Sequence, residues 1–208
     1  MIKSTDLLDK SQNSTDSWAI WVEQEPHDFS FFEKNLDKLH ADVVILGLNR
    51  SDGSRTIQKK PFINFHAPNH RGDARLKAYI QDGILDKIKG AFMTDLSEEI
   101  QTNSNKVNIE KLGLIDNFLE KLKFYPAAKR TIICLGDKPF NEICKTLDIK
   151  PSRIKSDPTK FNLRTVTVKV KSESWNIYRV WLHSSWGKFE EKGSIELPLQ
   201  LRFINENI

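Results

Sequence analysis

The sequence predicts an α/β protein built around a mainly parallel β-sheet. Short apolar runs alternate along the chain with segments of helical periodicity, which is the order expected when helices connect parallel strands. The first run, residues 43–48 (VVILGL), is apolar throughout and rich in β-branched residues, as in a strand buried on both faces. A chain of 208 residues is also long enough to form a single domain with a substantial core.

The first half of the chain follows this alternation. Residues 1–16 are predicted to be a polar leader. Residues 28–40 are predicted to be a helix, because Phe29, Phe32 and Leu36 recur at helical spacing. The strand at 43–48 is followed by a helix at 72–82, a short apolar strand at 91–94 and an amphipathic helix at 109–122.

The second half continues the pattern. A strand at 131–135 ends at Gly136, and Pro139 lies early in a helix that runs to about Lys145, where proline is well tolerated. Residues 150–160, rich in Pro, Lys and Ser, are predicted to be a loop. Residues 164–171 alternate as in an exposed or edge strand, residues 177–182 form the last core strand, and 197–204 form a closing helix.

Charge is distributed unevenly along the chain. The net charge is +4, but residues 49–77 carry seven Lys/Arg against two Asp/Glu, and residues 145–171 carry eight against two. Two basic segments suit a phosphate-rich partner if the fold brings them together, although two solvated loops explain the charge equally well. With no apolar run of about 18 residues and no secretory leader, we expect a cytoplasmic protein without a membrane span.

Metal, disulfide and cofactor chemistry is not indicated by the sequence. The two cysteines, Cys134 and Cys144, lie in apolar segments that suit core packing. His66, Asn69, His70 and Asp73 lie close together, but their spacing matches no standard metal site. We therefore expect neither a metal nor a cofactor.

Ligands of parallel sheets bind beyond the carboxyl ends of the strands. That rule selects residues 47–51, 94–95, 136–138 and 183–185. In these places GLNRS (47–51) resembles the first motif, G-x-[ND]-P-x, of the uracil-DNA glycosylase superfamily, and HSS (183–185) resembles its second. The likeness extends to GAFMTDL (90–96) and ICLGDKPF (133–140), and covers roughly residues 40–190.

This resemblance implies a three-layer α/β/α domain over residues 17–208, with a central, mainly parallel, four-stranded sheet. It implies a metal-independent DNA glycosylase that hydrolyses the N-glycosidic bond of a damaged, deaminated or modified base flipped out of DNA. Asn49 would orient the attacking water, and His183 would stabilise negative charge on the departing base. Around the base it implies Gly47, Leu48, Asp95 and an aromatic face, for which Phe65 is preferred over Phe62.

DNA is the partner that the resemblance implies, with single-stranded or mismatched forms among the alternatives, and the protein is expected to be a monomer. Trp186 is expected to wedge into DNA, although burial in the core explains a tryptophan equally well. The residues expected to contact DNA are Arg50, Ser51, Arg71, Lys138, Ser184, Ser185, Trp186 and Lys188.

Three positions depart from the family pattern. Arg50 and Ser184 replace the prolines of the two motifs, and Asp95 replaces an asparagine that reads uracil. Because an ionised carboxylate only accepts hydrogen bonds, we expect a base other than uracil, unless Asp95 instead caps a following helix together with Glu98. These departures leave open a catalytically inactive nucleic-acid- or nucleotide-binding protein; a small-molecule hydrolase is the weaker third alternative.

Overall fold

A computed structural model of the chain describes residues 16–21, 30–50, 62, 64–67, 70–82, 85–101, 106–107, 114–125, 127–183 and 190–208. These residues form one seven-stranded sheet in the order β1-β3-β2-β4-β7-β6-β5. The strands are β1 (Ser17–Trp18), β2 (His40–Arg50), β3 (Ala91–Ile100), β4 (Lys129–Leu135), β5 (Lys155–Asp157), β6 (Leu163–Val170) and β7 (Glu173–Val180).

The centre of the sheet is parallel and its margins are antiparallel. Strand β2 pairs in parallel with β3 on one side and β4 on the other, and β4 pairs in parallel with β7. Strand β1 adds antiparallel to β3, and β6 and β5 extend the other side antiparallel to β7. The carboxyl ends of the four central strands therefore lie at one edge of the sheet.

Helices cover both faces of this sheet. The α-helices in the described part are α1 (Arg71–Lys77), α2 (Leu114–Lys123), α3 (Asp137–Thr146) and α4 (Glu190–Asn207), and α1 continues into a π-helical turn at Ala78–Asp82. One buried cluster packs Phe118 of α2 and Phe140 of α3 against Val44 of β2. A second packs Leu76 of α1 and Leu201 of α4 against the opposite face. The α/β class and the parallel centre predicted from the sequence are confirmed.

The predicted number of strands was wrong. The four central strands are the four predicted from apolar runs, but the sheet has seven. Strands β1 and β5 span two and three residues, which is too short to give a periodic signal. Strand β5 lies in the segment predicted to be a loop, and because it pairs with β6, the predicted edge strand is not at the edge.

Strand β3 extends well beyond its predicted end at residue 94. It runs to Ile100 because it stays paired with β2, with Gly47 opposite Asp95 and Asn49 opposite Ser97. Asp95 therefore lies within a strand, and the prediction that it caps a following helix was wrong. Sheet pairing here outweighed the local capping pattern.

The early part of the chain also differs from its prediction. In residues 30–40, the described part of the helix expected at 28–40, the helical structure is a 3₁₀ segment, Glu33–Lys38, in which Asn35 has a non-helical φ of −130°. Asp16, at the end of the predicted polar leader, is 4% exposed and accepts a hydrogen bond from Thr94 at 2.6 Å. Within the described residues, the helices are too short or too polar to cross a membrane.

A buried arginine stabilises the sheet at the amino ends of its central strands. Arg130, at the start of β4, is fully buried, and its Nε lies 2.9 Å from a carboxylate oxygen of Glu173 in β7. Its two terminal nitrogens donate to the carbonyl oxygens of Ala41 and Tyr125. Because these partners satisfy a charge held out of water, the cluster is structural and lies away from the carboxyl ends of the strands.

Candidate functional site

Four residues predicted from the sequence come together on the face of the sheet that carries α1 and α4. Gly47 of β2 and Asp95 of β3 are paired neighbours, Phe65 precedes α1, and His183 follows β7. The structure adds two residues from the start of α1, His70 and Asp73, which pattern analysis had not placed with them.

Gly47 makes room for the carboxyl group of Asp95. A Cβ built on Gly47 would lie 2.1 Å from Oδ1 of Asp95 and 3.0 Å from Cζ of Phe65. Real Cβ atoms do not approach other heavy atoms so closely, so a side chain at this position would force Asp95 and Phe65 to move. The absence of a side chain lets the buried carboxyl and the aromatic ring meet over the strand.

Asp95 is only 8% exposed. Burial raises the pKa of its carboxyl from 3.8 to about 7, although a hydrogen bond with the Asn64 side chain opposes the rise. Near neutral pH the group is thus divided between a protonated form, which can donate a hydrogen bond, and an ionised form, which only accepts.

Phe65 holds an unusual backbone conformation beside the site. Its φ is +60°, in the left-handed region that bulky residues rarely occupy. Contacts from the N-terminal segment 16–21 fix it: the Trp21 indole donates to the Phe65 carbonyl at 3.3 Å, and the Ser17 hydroxyl donates to the Asn64 carbonyl. Such backbone strain persists where surrounding contacts determine it, and functional sites are the usual places.

His183 lies behind the Phe65 ring, with 5.6 Å between ring centroids, and is 8% exposed. Its Nε2 lies 3.5 Å from Oδ1 of Asp73. Its Nδ1 is buried and has no hydrogen-bond partner among the described residues. An unpaired buried polar atom costs about 1–3 kcal/mol, so a nitrogen left in this state calls for an explanation.

Asp73 links the two histidines. Its Oδ1 lies 2.7 Å from Nδ1 of His70, and its Oδ2 accepts from the Ala67 amide at 3.1 Å. Burial alone would raise the pKa of Asp73, but hydrogen bonds with His183 and His70 outweigh it and hold the pKa well below its usual range. Asp73 is therefore an ionised carboxylate in the folded protein.

The pKa values of the neighbouring histidines His70 and His66 are shifted in opposite directions. The hydrogen bond to Asp73 raises the pKa of His70. The Asp73 amide also approaches Nδ1 of His70 at 3.3 Å, but a protonated nitrogen cannot accept, so the 2.7 Å carboxylate contact governs. His66 is different, because burial lowers its pKa to about 4 and keeps the ring neutral.

The other predicted residues lie elsewhere or serve the backbone. The side-chain amide of Asn49 donates to the carbonyls of Arg50 at 2.8 Å and Gln101 at 2.6 Å, which fastens the ends of β2 and β3 together. Leu48 is buried in β2, and Arg50 ends that strand. Phe62 packs in the opposite core, with its ring 5.2 Å from that of Phe32.

Of the predicted DNA-contacting residues, Arg71 is exposed at the start of α1, beside His70, and Lys138 lies in the first turn of α3 after β4. Arg50 ends β2, and the other five lie outside the described residues, namely Ser51, Ser184, Ser185, Trp186 and Lys188. The roles given to all these residues stay predictions.

Comparison with known proteins does not support the family expected from the motifs. No protein-family model matches the chain. Similar curated proteins are named "Probable porphobilinogen deaminase" and come from Saccharolobus islandicus, among them strains L.S.2.15, M.14.25 and Y.G.57.14. Each is 26% identical over 156 residues, which cover 70% of this chain and 46% of the relative. The chain thus spans about half the length of the curated relatives it matches.

These relatives overturn the resemblance to uracil-DNA glycosylases. The expected DNA glycosylase activity and role in DNA repair were wrong, because the similar proteins carry the name of a different enzyme. The alternative of an inactive binding protein on the same fold gains no support from them. An enzymatic role in the broad sense is compatible with the relatives' name. The expected DNA partner, monomeric state and cytoplasmic location stay predictions.

Proposed function

We propose that this chain is an enzyme that uses acid–base catalysis on a small nitrogen-containing ring compound. The observation that carries the proposal is His183, whose Nε2 faces the ionised Asp73 while its buried Nδ1 has no partner among the described residues. A carboxylate that orients one nitrogen of an imidazole leaves the other to exchange a proton with a substrate.

Two carboxyl groups whose pKa values are shifted in opposite directions support this chemistry. Asp73 is held ionised, whereas the pKa of Asp95 is raised to about 7. Pairs of carboxyl groups with widely separated pKa values are typical of catalytic sites. In such sites one ionised carboxylate assists the base and the other carboxyl group acts as the acid. Asp95 in its protonated form is suited to give a proton to a leaving nitrogen, while His183 takes one from the attacking nucleophile.

The class of substrate follows from the groups around the two carboxyls. The Phe65 ring lies beside Gly47, the strand partner of Asp95, and packs against His183, so a flat ring is the shape that suits its face. Asp95 recognises N–H or amino groups through hydrogen bonds. The name of the relatives makes porphobilinogen the first compound to test and deamination the first reaction.

The experiment is to incubate the purified full chain with porphobilinogen and to measure its consumption and the release of ammonia. We expect turnover above the buffer rate, reduced about 100-fold or more in His183→Gln, since acid–base groups contribute 10²–10⁴-fold. His40→Gln is the matched control, because His40 lies at the start of β2 and bonds to the Lys89 carbonyl.

If porphobilinogen is not consumed, the same assay is run on a panel of amino-substituted heterocycles. Turnover of none of these compounds, or turnover that His183→Gln leaves unchanged, contradicts the proposal.

A further inference from the structure

We infer that His70, Asp73 and His183 form a binding site for one divalent transition-metal ion. Each residue offers one donor atom, and the three atoms lie within 4.8 Å of one another. His70 is the N-cap of α1, Asp73 lies in the first turn of that helix, and His183 lies three residues after the end of β7. This metal site does not depend on the proposed catalytic activity, and measurements of metal binding alone can test it.

The distances suit an ion after small movements of the side chains. Donor atoms that share a tetrahedral ion lie roughly 3.3 Å apart, given metal–ligand bonds of about 2.0–2.1 Å. Oδ1 of Asp73 lies 2.7 Å from Nδ1 of His70 and 3.5 Å from Nε2 of His183. All three donor atoms lie within 4.8 Å of one another, so small side-chain movements would let them share one ion.

The charges at the cluster favour a cation. Asp73 is ionised and 8% exposed, so its negative charge is held largely out of water. A divalent ion at the cluster would compensate that charge directly.

Neighbouring groups hold the donors in place. The second oxygen of Asp73 accepts from the Ala67 amide at 3.1 Å, and the Phe65 ring packs against His183. Such contacts around a metal site orient its ligands and strengthen binding. His66 is the nearby histidine left out, since it bonds to the Trp18 carbonyl at 3.1 Å.

The donor set indicates which ions fit. Two imidazole nitrogens and one carboxylate oxygen suit Zn²⁺, Fe²⁺ or Co²⁺ better than Mg²⁺ or Ca²⁺, which prefer oxygen. Three protein ligands also leave a coordination position open, as in catalytic rather than structural zinc sites. The sequence did not show this set, because His183 is 110 positions beyond Asp73.

Binding through Nε2 changes what His183 can do in the proposed reaction. Its Nδ1 then keeps its proton, so the ring acts as a hydrogen-bond donor to developing negative charge rather than as a base. This consequence rests on the proposed function, whereas the metal site itself does not.

The test titrates the full chain with Co²⁺, followed by visible absorption, and with Zn²⁺, followed by calorimetry. We expect one ion per chain, with affinity reduced about 100-fold or more in His183→Ala and in Asp73→Asn, and retained in His40→Gln. The melting temperature of the native chain should rise with Zn²⁺, since an ion that binds only the folded state stabilises it.

Circular dichroism and melting without metal check that each variant is folded. Should His183→Ala unfold, His70→Ala replaces it, because His70 is the more exposed ligand, at 25% of its side chain. The site is overturned by stoichiometry below one ion at about 100 μM metal, or by affinity that the folded ligand variants leave unchanged. Failure of binding with intact turnover overturns the metal site and leaves the proposed activity standing.

Discussion

The carboxyl group of Asp95 occupies the space in which a side chain on Gly47 would begin, with Oδ1 2.1 Å from the position of that Cβ. The two residues pair across β2 and β3, where Asp95 lies near the middle of β3 and Gly47 three residues before the end of β2. The glycine in the apolar run of β2 therefore leaves room for a polar neighbour.

Replacing Gly47 with alanine should displace Asp95 and Phe65 together. We expect a loss of about 1–3 kcal/mol in the free energy of unfolding from overpacking, and a changed carboxyl pKa for Asp95, measured by NMR titration. Gly136→Ala is the matched control, because φ there is +98° and the added Cβ meets Leu182 only at 3.6 Å. It should lose a similar stability through backbone strain and leave the Asp95 titration unaltered. An Asp95 pKa that is the same in the native protein, Gly47→Ala and Gly136→Ala would argue against a close contact between Gly47 and Asp95.

Asp95→Asn should change how stability depends on pH. The folded pKa of about 7 exceeds the ordinary 3.8, so the folded state holds this proton more tightly than the unfolded state does. The resulting stabilisation is complete below about pH 4 and is lost as the pH rises through 7. At most it is on the order of 4 kcal/mol.

Chemical unfolding at pH 4 to 8 checks the sign of this effect. Relative to native, Asp95→Asn should become progressively more stable toward pH 8, whereas Asp116→Asn, at an exposed position of α2, should follow the native curve. A difference between native and Asp95→Asn that is constant across this range would show that Asp95 titrates normally.

Asp73→Asn should lower the pKa of His70. The carboxylate raises that pKa through a 2.7 Å hydrogen bond, and an amide cannot compensate an imidazolium charge. NMR titration of the histidine ring protons measures the change. His40 serves as an internal reference, because burial and the Lys89 carbonyl determine its pKa. If the His70 titration stays where it is in the native chain, Asp73 is not its partner.

Glu173→Ala should be strongly destabilising, since it leaves the fully buried Arg130 without its carboxylate. Removing one partner of a buried pair costs about 3–5 kcal/mol, which thermal and chemical unfolding can measure. The comparison is Glu120→Ala, which breaks an exposed pair with Lys123 and should cost less than about 1 kcal/mol. Equal effects of the two substitutions would contradict the role of burial.

The central sheet could be predicted from sequence because its strands carry their own signal. Apolar runs such as 43–48 and 131–135 are buried on both faces and need no knowledge of their neighbours. Strands β1 and β5 could not be predicted in this way, since they are strands only through pairing. The polar half of β3 could not be predicted for the same reason. In the sequence alone Asp95 resembles a helix cap, and only its pairing with Gly47 places it in a strand.

The site was only half visible in the sequence. Gly47 and His183 were found because strand ends are where ligands bind in parallel sheets. Asp73 was seen only among its sequence neighbours, and nothing in the pattern joins it to His183. Short motifs on a common sheet also misled the choice of family, since a few residues at strand ends are compatible with many chemistries.

The N-terminal segment 16–21 has a consequence for how the protein is made. Its partners lie far along the chain: Asp16 bonds to Thr94, 78 positions later, and Trp21 to Phe65, 44 positions later. During synthesis on the ribosome, this segment has no sheet partner until β3 has emerged. Only then can β1 add to the edge and fasten Phe65 in its left-handed conformation. His183 emerges later still. The residues of the candidate site can therefore come together only after β7 has been synthesised, and β1 then helps to hold Phe65 in place.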